Sequence, residues 1–224
     1  MLRAREKNRF DLNGVWFQFS RGQGISNVEV PKLICPEISL GGNVSFDSEG
    51  KFYGNTKIYS LVKKGHVQSS YLVWLSILNS SILWYFLKNT GYVLRGGYFT
   101  FKTNYLNPFP VPLINNRNSI ILDLITRFLL SIPKEDLARK YFESLIDSIV
   151  YELYFPEEIK SAGKEILKHL GDLKPITDEM SEEEKLAIIQ SEFERLYDPN
   201  HPVRFAIETL DSVEEVRVIK EALK

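Results

Sequence analysis

Basic and aromatic side chains alternate with glycine between residues 94 and 105, where the sequence reads Leu-Arg-Gly-Gly-Tyr-Phe-Thr-Phe-Lys-Thr-Asn-Tyr. Arginine can donate two parallel hydrogen bonds to a guanine edge, asparagine can bridge adenine, and lysine can neutralise a phosphate. A pair of glycines lets the backbone come close to a ligand. The chemistry that this pattern indicates is recognition of a nucleic acid.

Two further groups of side chains extend this candidate surface, one around Gly22 and one formed by three lysines. The complete predicted set of DNA-binding residues is Arg21, Gln23, Lys57, Lys63, Lys64, Arg95, Tyr98, Lys102, Asn104 and Tyr105. We interpret Lys57, Lys63 and Lys64 as phosphate contacts and the others as the base-reading surface. Arg95 has an alternative interpretation, in which it holds the turn at the two following glycines.

Residues that usually perform catalysis or bind metal ions are scattered. His66, His169 and His201 have no partner at the spacing of a zinc site, and Cys35 lies in a predicted buried strand, where a core thiol is the default interpretation. The sequence has no Gly-x-Ser-x-Gly elbow, Walker loop or dinucleotide fingerprint. We therefore predict no catalytic residue, no metal site and no cofactor in this chain.

Two partial motifs give alternatives. Glu37, Glu49 and Lys51 loosely follow the pattern of metal-dependent nucleases, although residues 47–50 read as a turn instead of a rigid strand. Residues 107–109, Asn-Pro-Phe, resemble the base-gripping motif of amino-methyltransferases without its second proline. A metal-dependent nuclease stays open as an alternative function.

The elements that would position these residues indicate an α+β fold. We predict strands at 14–19, 30–35, 57–62 and 98–102, because these runs are rich in β-branched and aromatic residues. One long apolar helix is predicted at 67–89. Residues 1–112 thus form a mixed α/β domain, which ends in the proline-rich run 107–112.

Residues 113–224 are predicted to form an all-helical region. Its expected helices cover 119–130, 133–155, 156–170, 181–197 and 212–223. Ser181 with Glu184, and Ser212 with Glu215, fit the capping-box pattern at a helix start. Gly171 is the expected end of the third helix.

Charge divides the chain at the same place. Residues 1–110 contain 13 Lys and Arg against 6 Asp and Glu, whereas residues 111–224 contain 15 against 23, so the net charges are +7 and −8. Aromatic residues are also concentrated in the first half. Two halves this different are expected to face different partners, or alternatively each other.

Composition narrows the class of protein. The 224 residues are 44% hydrophobic and 25% charged, as in globular proteins, and the single cysteine excludes an internal disulfide. The longest apolar run, at 71–87, is short for a membrane span and contains polar residues. Without a basic and then apolar leader, we expect a cytoplasmic protein without a membrane partner.

Several runs resemble a known family in their order and spacing. They are residues 30–39, 46–53, 55–56, 72–80, 94–99 and 107–112, together with Trp16-Phe17 and Arg21. Over about residues 10–112 the chain resembles the TaqI-like C-terminal specificity domain, the target-recognition domain of type IIG restriction-modification enzymes and related adenine-specific DNA methyltransferases. Residues 143–154 and 197–204 resemble the helical C-terminal extension of the same enzymes.

This resemblance implies a division of labour. The chain would bind double-stranded DNA and direct the methyltransferase or nuclease domains of a parent enzyme, while having no enzymatic activity by itself. S-adenosylmethionine and magnesium are expected only in those other domains. The chain would be an excised C-terminal portion or a stand-alone specificity chain. A third hypothesis is an assembly subunit that binds no DNA.

Overall fold

The computed structural model describes residues 28–55 and 57–224. The strands in this part are β1 (Lys32–Pro36), β2 (Ile38–Ser39), β3 (Ser45–Asp47), β4 (Ile58–Leu61) and β5 (Phe99–Thr100). The helices in this part are α1 (Tyr71–Leu78), α2 (Ser81–Thr90), α3 (Thr103–Leu106), α4 (Asn116–Ser131), α5 (Leu137–Tyr154), α6 (Pro156–Ser161), α7 (Glu182–Leu196), α8 (Pro202–Glu208) and α9 (Glu214–Leu223). The predicted α+β class is confirmed.

The strands form two small antiparallel sheets. β1 lies between β3 and β4, and Leu33 is the register partner of both Phe46 and Leu61. β2 pairs with β5, where Ser39 lies opposite Phe99. The strands predicted at 30–35, 57–62 and 98–102 are present with shifted ends, and the one predicted at 14–19 lies outside the described residues.

The turn after β3 is held by a buried charge. Asp47 accepts hydrogen bonds from the backbone N–H groups of Lys51 and Phe52, at 3.0 and 2.9 Å. Gly50 has φ of +70°, and a Cβ at this position would lie 2.6 Å from the backbone nitrogen of Val30. Only glycine fits this conformation and this close approach, so the turn fixes residues 46–53 against the start of the sheet.

The single helix predicted at 67–89 is wrong, because the structure divides it into α1 and α2. Ser80 is the N-cap of α2 and accepts a hydrogen bond from the Leu83 N–H group. The amide of Asn79 bonds both main-chain groups of Val44, at 2.9 and 3.0 Å. These two polar side chains end one helix, start the next and attach the loop before β3.

Other helix ends also differ from the predictions. The helix predicted at 156–170 ends at Ser161, because Gly163 has φ of +67° and closes a Schellman motif with hydrogen bonds from Gly163 to Lys160 and from Lys164 to Ile159. The predicted end at Gly171 is therefore wrong.

Of the two predicted capping boxes, the structure confirms one. Ser181 and Glu184 exchange hydrogen bonds as predicted. Ser212 lies instead in a 3-10 turn, and α9 starts after Val213 without a side-chain cap. Helix α8 was not predicted; Pro202 occupies its first turn, and His201 caps it by accepting from the Val203 N–H group.

The two halves of the chain share one hydrophobic core. α1 packs against α4, and α2 packs against α9. In the proline-rich run, Phe109 is 8% exposed and packs edge-on against Phe86 of α2, with ring centroids 5.3 Å apart. Tyr154 of α5 contacts Phe109 at 5.9 Å and donates a 2.7 Å hydrogen bond to the Pro110 carbonyl. The boundary at residue 112 stays a prediction.

In the described part of the chain, the helices are too short or too polar to cross a membrane.

Candidate nucleic-acid interface

Glu37 joins the two sheets through its backbone. It lies between β1 and β2, and its N–H group donates a 2.8 Å hydrogen bond to the carbonyl of Lys57, at the start of β4. Its own carbonyl accepts a 2.8 Å hydrogen bond from the Phe101 N–H group, which follows β5. These two hydrogen bonds bring Glu37, Lys57 and Phe101 together, although the three residues are far apart in the sequence.

The side chain of Glu37 brings two predicted DNA-binding lysines together. Its carboxylate lies 2.9 Å from the Lys57 ammonium and 3.7 Å from the Lys102 ammonium. The hydrogen bond from Lys57 is the main reason why the pKa of Glu37 is lowered. Because the carboxylate is 12% exposed and the two lysines are more than half exposed, the outward charge of this cluster is positive.

Arg95 lies at the turn of an exposed hairpin. The hairpin is closed by a hydrogen bond from the Leu94 N–H group to the Tyr98 carbonyl and by a bridge between Val93 and Phe99. Gly96 and Gly97 have φ of +87° and +80°, the left-handed backbone that such a turn needs. The guanidinium of Arg95 is exposed and forms no ion pair with the described residues. Within the described ranges, no side-chain hydrogen bond from Arg95 holds the turn.

The hairpin stands on an aromatic base. Phe99 packs edge-on against Trp84 of α2, with ring centroids 5.0 Å apart. Phe101 stacks on the same tryptophan ring, with centroids 6.3 Å apart. Tyr98, between Arg95 and this base, is 42% exposed. Because Phe99 and Phe101 are both buried and Tyr98 is exposed, the hairpin is anchored at its base and exposed at its turn.

The predicted strand at 98–102 is followed by the short helix α3. Lys102 precedes this helix, and its carbonyl accepts a hydrogen bond from the Tyr105 N–H group. Asn104 is exposed, whereas Tyr105 is partly buried against the core. Asn104 is therefore available to a ligand, and Tyr105 has a partly structural role.

Lys63 and Lys64 lie beyond the far end of β4. The Lys63 ammonium donates a 2.5 Å hydrogen bond to the Ser69 carbonyl and lies 5.4 Å from the centre of the Tyr71 ring. Lys64 is exposed at the rim of an open apolar groove of about 320 Å³. The four residues of β4 span about 13 Å at about 3.3 Å per residue, so these lysines lie at the opposite end of the strand from Lys57.

Arg21 and Gln23 lie outside the described residues. The structure therefore brings Lys57 and Lys102 together, places Arg95, Tyr98 and Asn104 on the adjoining exposed chain, and leaves Lys63 and Lys64 at a separate point. The role of Glu37 was missed by sequence reasoning, which considered it only as a metal ligand. Its sole signal is a carboxylate between two predicted strands.

The nuclease pattern does not form a metal site. Glu37 binds Lys57 and Lys102, while Lys51 forms an exposed ion pair with Glu49. Among residues 28–55 and 57–224, no three His, Cys, Asp or Glu side chains are grouped in a way that could hold a metal ion. The geometry gives this alternative no support.

Comparison with protein families agrees with the resemblance in the sequence. Residues 6–111 match the family described as the TaqI-like C-terminal specificity domain. No curated protein matches the chain. Domains of this family serve restriction-modification enzymes as DNA-recognition modules and are not catalytic themselves. The glycine turns, the paired sheets and the exposed basic hairpin all lie inside the matched range, so the part of the chain that is similar to the TaqI-like C-terminal specificity domain is residues 6–111, just under half of its length.

Proposed function

We propose that this chain recognises a specific DNA sequence and directs a separate catalytic domain to it, in a type IIG restriction enzyme or an adenine-specific DNA methyltransferase. One observation carries the proposal: the Lys57 and Lys102 ammonium groups converge on Glu37 beside the exposed hairpin that presents Arg95. Phosphate-binding charge and a base-reading side chain are thus neighbours on one rigid base.

The hairpin supports a mode of reading. The major groove of B-DNA is about 12 Å wide and admits a two-stranded ribbon. Arg95, at the turn, can donate two hydrogen bonds to guanine, while Tyr98 and Asn104 lie on the chain that follows. Lys57 and Lys102 would hold adjacent phosphates and so fix the register of the hairpin in the groove.

Bond making and breaking would belong to the partner domain. We propose that S-adenosylmethionine and, in a cleaving enzyme, magnesium bind there and not in this chain. By holding the duplex opposite that domain, the specificity module would help it extrude an adenine. Such a role also fits the cytoplasmic location expected from the sequence.

A selection experiment tests sequence recognition. The full chain is incubated with randomised duplexes at about 50 mM salt, where binding through phosphates is strongest. We expect one motif to be enriched, and the selected duplex to bind more tightly than a scrambled duplex. Binding of all duplexes with equal affinity would contradict sequence recognition, and no binding at this salt concentration would contradict the DNA partner altogether.

Arg95→Ala tests the reading residue. It should reduce discrimination at one base pair of the selected motif by about 1 to 3 kcal/mol and leave the other positions unchanged. Arg117→Ala, at another exposed arginine on α4, is the matched control and should leave discrimination unchanged. Circular dichroism of both variants checks that the fold is retained.

The adenine assignment needs its own test. The chain is added to a methyltransferase domain that has an Asn-Pro-Pro-Tyr motif, and adenine methylation of the selected duplex is measured. Site-specific methylation that requires the chain supports the proposal, whereas methylation of cytosine alone contradicts it.

A further inference from the structure

A groove lies where the two halves of the chain meet. It has a volume of about 880 Å³ and is bordered by the loop before β3, the junction of α1 with α2, and helices α4 and α5. Its basic side chains all come from the helical half: Lys134, Arg139 and Lys140. This is unexpected in a region whose net charge is −8.

A second groove of about 630 Å³ continues along the same junction. It shares Phe46 and Leu130 with the first groove, so these two residues form the ridge between them. Its basic side chains are Lys63, Arg127 and Lys185. We refer to the two grooves together as the junction groove.

Basic side chains outnumber acidic ones in the junction groove by six to four. The acidic groups are already engaged. Asp147 accepts hydrogen bonds from the backbone and hydroxyl of Ser81, at 2.8 and 2.7 Å. Asp123 lies 2.7 Å from Arg127, and Glu143 lies 3.0 Å from Arg139. Asp178 lies 3.7 Å from Arg127.

Lys134 and Lys140 differ from the other basic residues in this groove. Both are exposed, and neither forms an ion pair within residues 28–55 and 57–224. Each ammonium therefore keeps donors for an external anion. Two exposed lysines without a counter-charge, in a groove whose acidic groups are already paired, give this groove the charge pattern of an anion site.

We propose that the junction groove binds a DNA phosphate backbone, with Lys134 and Lys140 of the helical half as phosphate contacts. This inference rests on the proposed function, because Lys63, a predicted phosphate contact of the recognition half, lines the same groove. The helical half then takes part in binding DNA, which the sequence did not predict for a region of net negative charge. Its remaining surface stays acidic and faces away from the duplex.

Salt titration of the double variant Lys134→Ala/Lys140→Ala tests the inference. The full chain and its variants are titrated with the duplex from the selection experiment between about 50 and 200 mM salt. Each lost phosphate contact lowers the slope of log K against log salt by about 0.9, so the double variant should lose about 1.8. The base preference should stay the same, because phosphate contacts do not read sequence.

The matched control is Lys160→Ala/Lys224→Ala, which removes the same charge from exposed lysines outside both grooves. Its slope should equal that of the wild type. If the wild type binds DNA and the groove variant keeps the wild-type slope, or if both double variants lose the same amount, the junction groove is not a phosphate site, although the proposed function stands. If the wild type binds no duplex, the proposed function fails together with this inference.

Discussion

The buried ammonium of Lys32 donates a 2.6 Å hydrogen bond to the carboxylate of Asp47, its register partner across β1 and β3. The two side chains are 1% and 3% exposed. Both residues belong to the runs that carry the family resemblance. Asn79, which belongs to another such run, bonds the main chain of Val44. These three motif residues hold the scaffold through their side chains.

Asp47→Asn should lower the urea midpoint at pH 7, because Lys32 would stay buried without its counter-charge. Burial alone would raise the pKa of Asp47, but hydrogen bonds from Lys32, Phe52 and Lys51 outweigh it and lower the pKa to about 2, from an ordinary value of 3.8. A carboxyl group whose pKa is lowered by folding stabilises the protein above its unfolded pKa, and this stabilisation is lost as the pH falls toward the folded pKa. The wild-type midpoint should therefore fall more steeply than that of the variant between about pH 4 and pH 2. If the urea midpoints of the wild type and the variant fall in parallel as the pH is lowered, this prediction is contradicted.

Gly42→Ala should destabilise the fold, whereas Gly41→Ala should not. A Cβ on Gly42 would lie 2.9 Å from the backbone of Asn79, but a Cβ on Gly41 would meet nothing within 4 Å. Overpacking against a rigid helix end costs about 1 to 3 kcal/mol, while alanine at an open position restricts the unfolded chain and is neutral or slightly stabilising. Urea denaturation of the two variants measures the difference. Equal free energies of unfolding would show that the loop is not held against the α1 and α2 junction.

Glu37→Gln should strengthen binding to all duplexes alike. The change removes the negative charge between Lys57 and Lys102, and the Coulomb attraction gained by a nearby phosphate corresponds to about a twofold to fivefold higher affinity at low salt. Because Lys57 lowers the pKa of Glu37, its carboxylate stays ionised in mildly acidic buffer. Wild-type affinity should thus not rise through this group between about pH 7 and pH 5.5.

The control for Glu37 is Glu49→Gln, which removes the same charge from an exposed turn. Its affinity should change less. If Glu49→Gln strengthens binding as much as Glu37→Gln, the effect comes from net charge and not from the paired lysines.

Ser81→Ala should destabilise the protein by about 1 kcal/mol, because the Ser81 hydroxyl donates a 2.7 Å hydrogen bond to Asp147. Urea denaturation of this variant measures the loss.

Asp147→Asn should change stability in a pH-dependent way. Burial raises the pKa of Asp147, so ionising it in the folded protein costs stability, and that cost appears as the pH rises through the folded pKa. Asparagine can still accept from the Ser81 N–H group. The Asn variant should therefore gain stability relative to the wild type between about pH 4 and pH 7, as measured by urea midpoints. If the difference in urea midpoint between the Asn variant and the wild type stays the same across this pH range, the prediction is contradicted.

The sequence predicted the parts of the fold that depend on local pattern. The alternating strands at 30–35 and 57–62 and the capping box at Ser181 need only neighbouring residues, and all three are present. The break between α1 and α2 was not predicted, although three polar residues, Asn79, Ser80 and Ser81, interrupt the apolar run at that point. What marks the break is the contact of Asn79 with Val44, which is 35 residues away in the sequence.

The candidate site shows the same division. Residue type was enough to single out Lys57 and Lys102 for a basic surface. Their common partner was not predictable, because Glu37 reaches them only through pairing of β1 with β4 and of β2 with β5. The basic junction groove was missed for a related reason: net charge over 114 residues hides which faces of individual helices the lysines occupy.

The proline-rich run is a packed connection and not a flexible linker, because the Phe109 ring contacts both Phe86 and Tyr154. A chain that ended at residue 112 would lose the contact of Tyr154 with the Phe109 ring. It would also expose the faces of α1 and α2 that pack against α4 and α9. A graft of residues 28–112 onto a different protein should therefore include residues 113–224 as well. A graft without them would expose a large apolar surface and would be prone to aggregate.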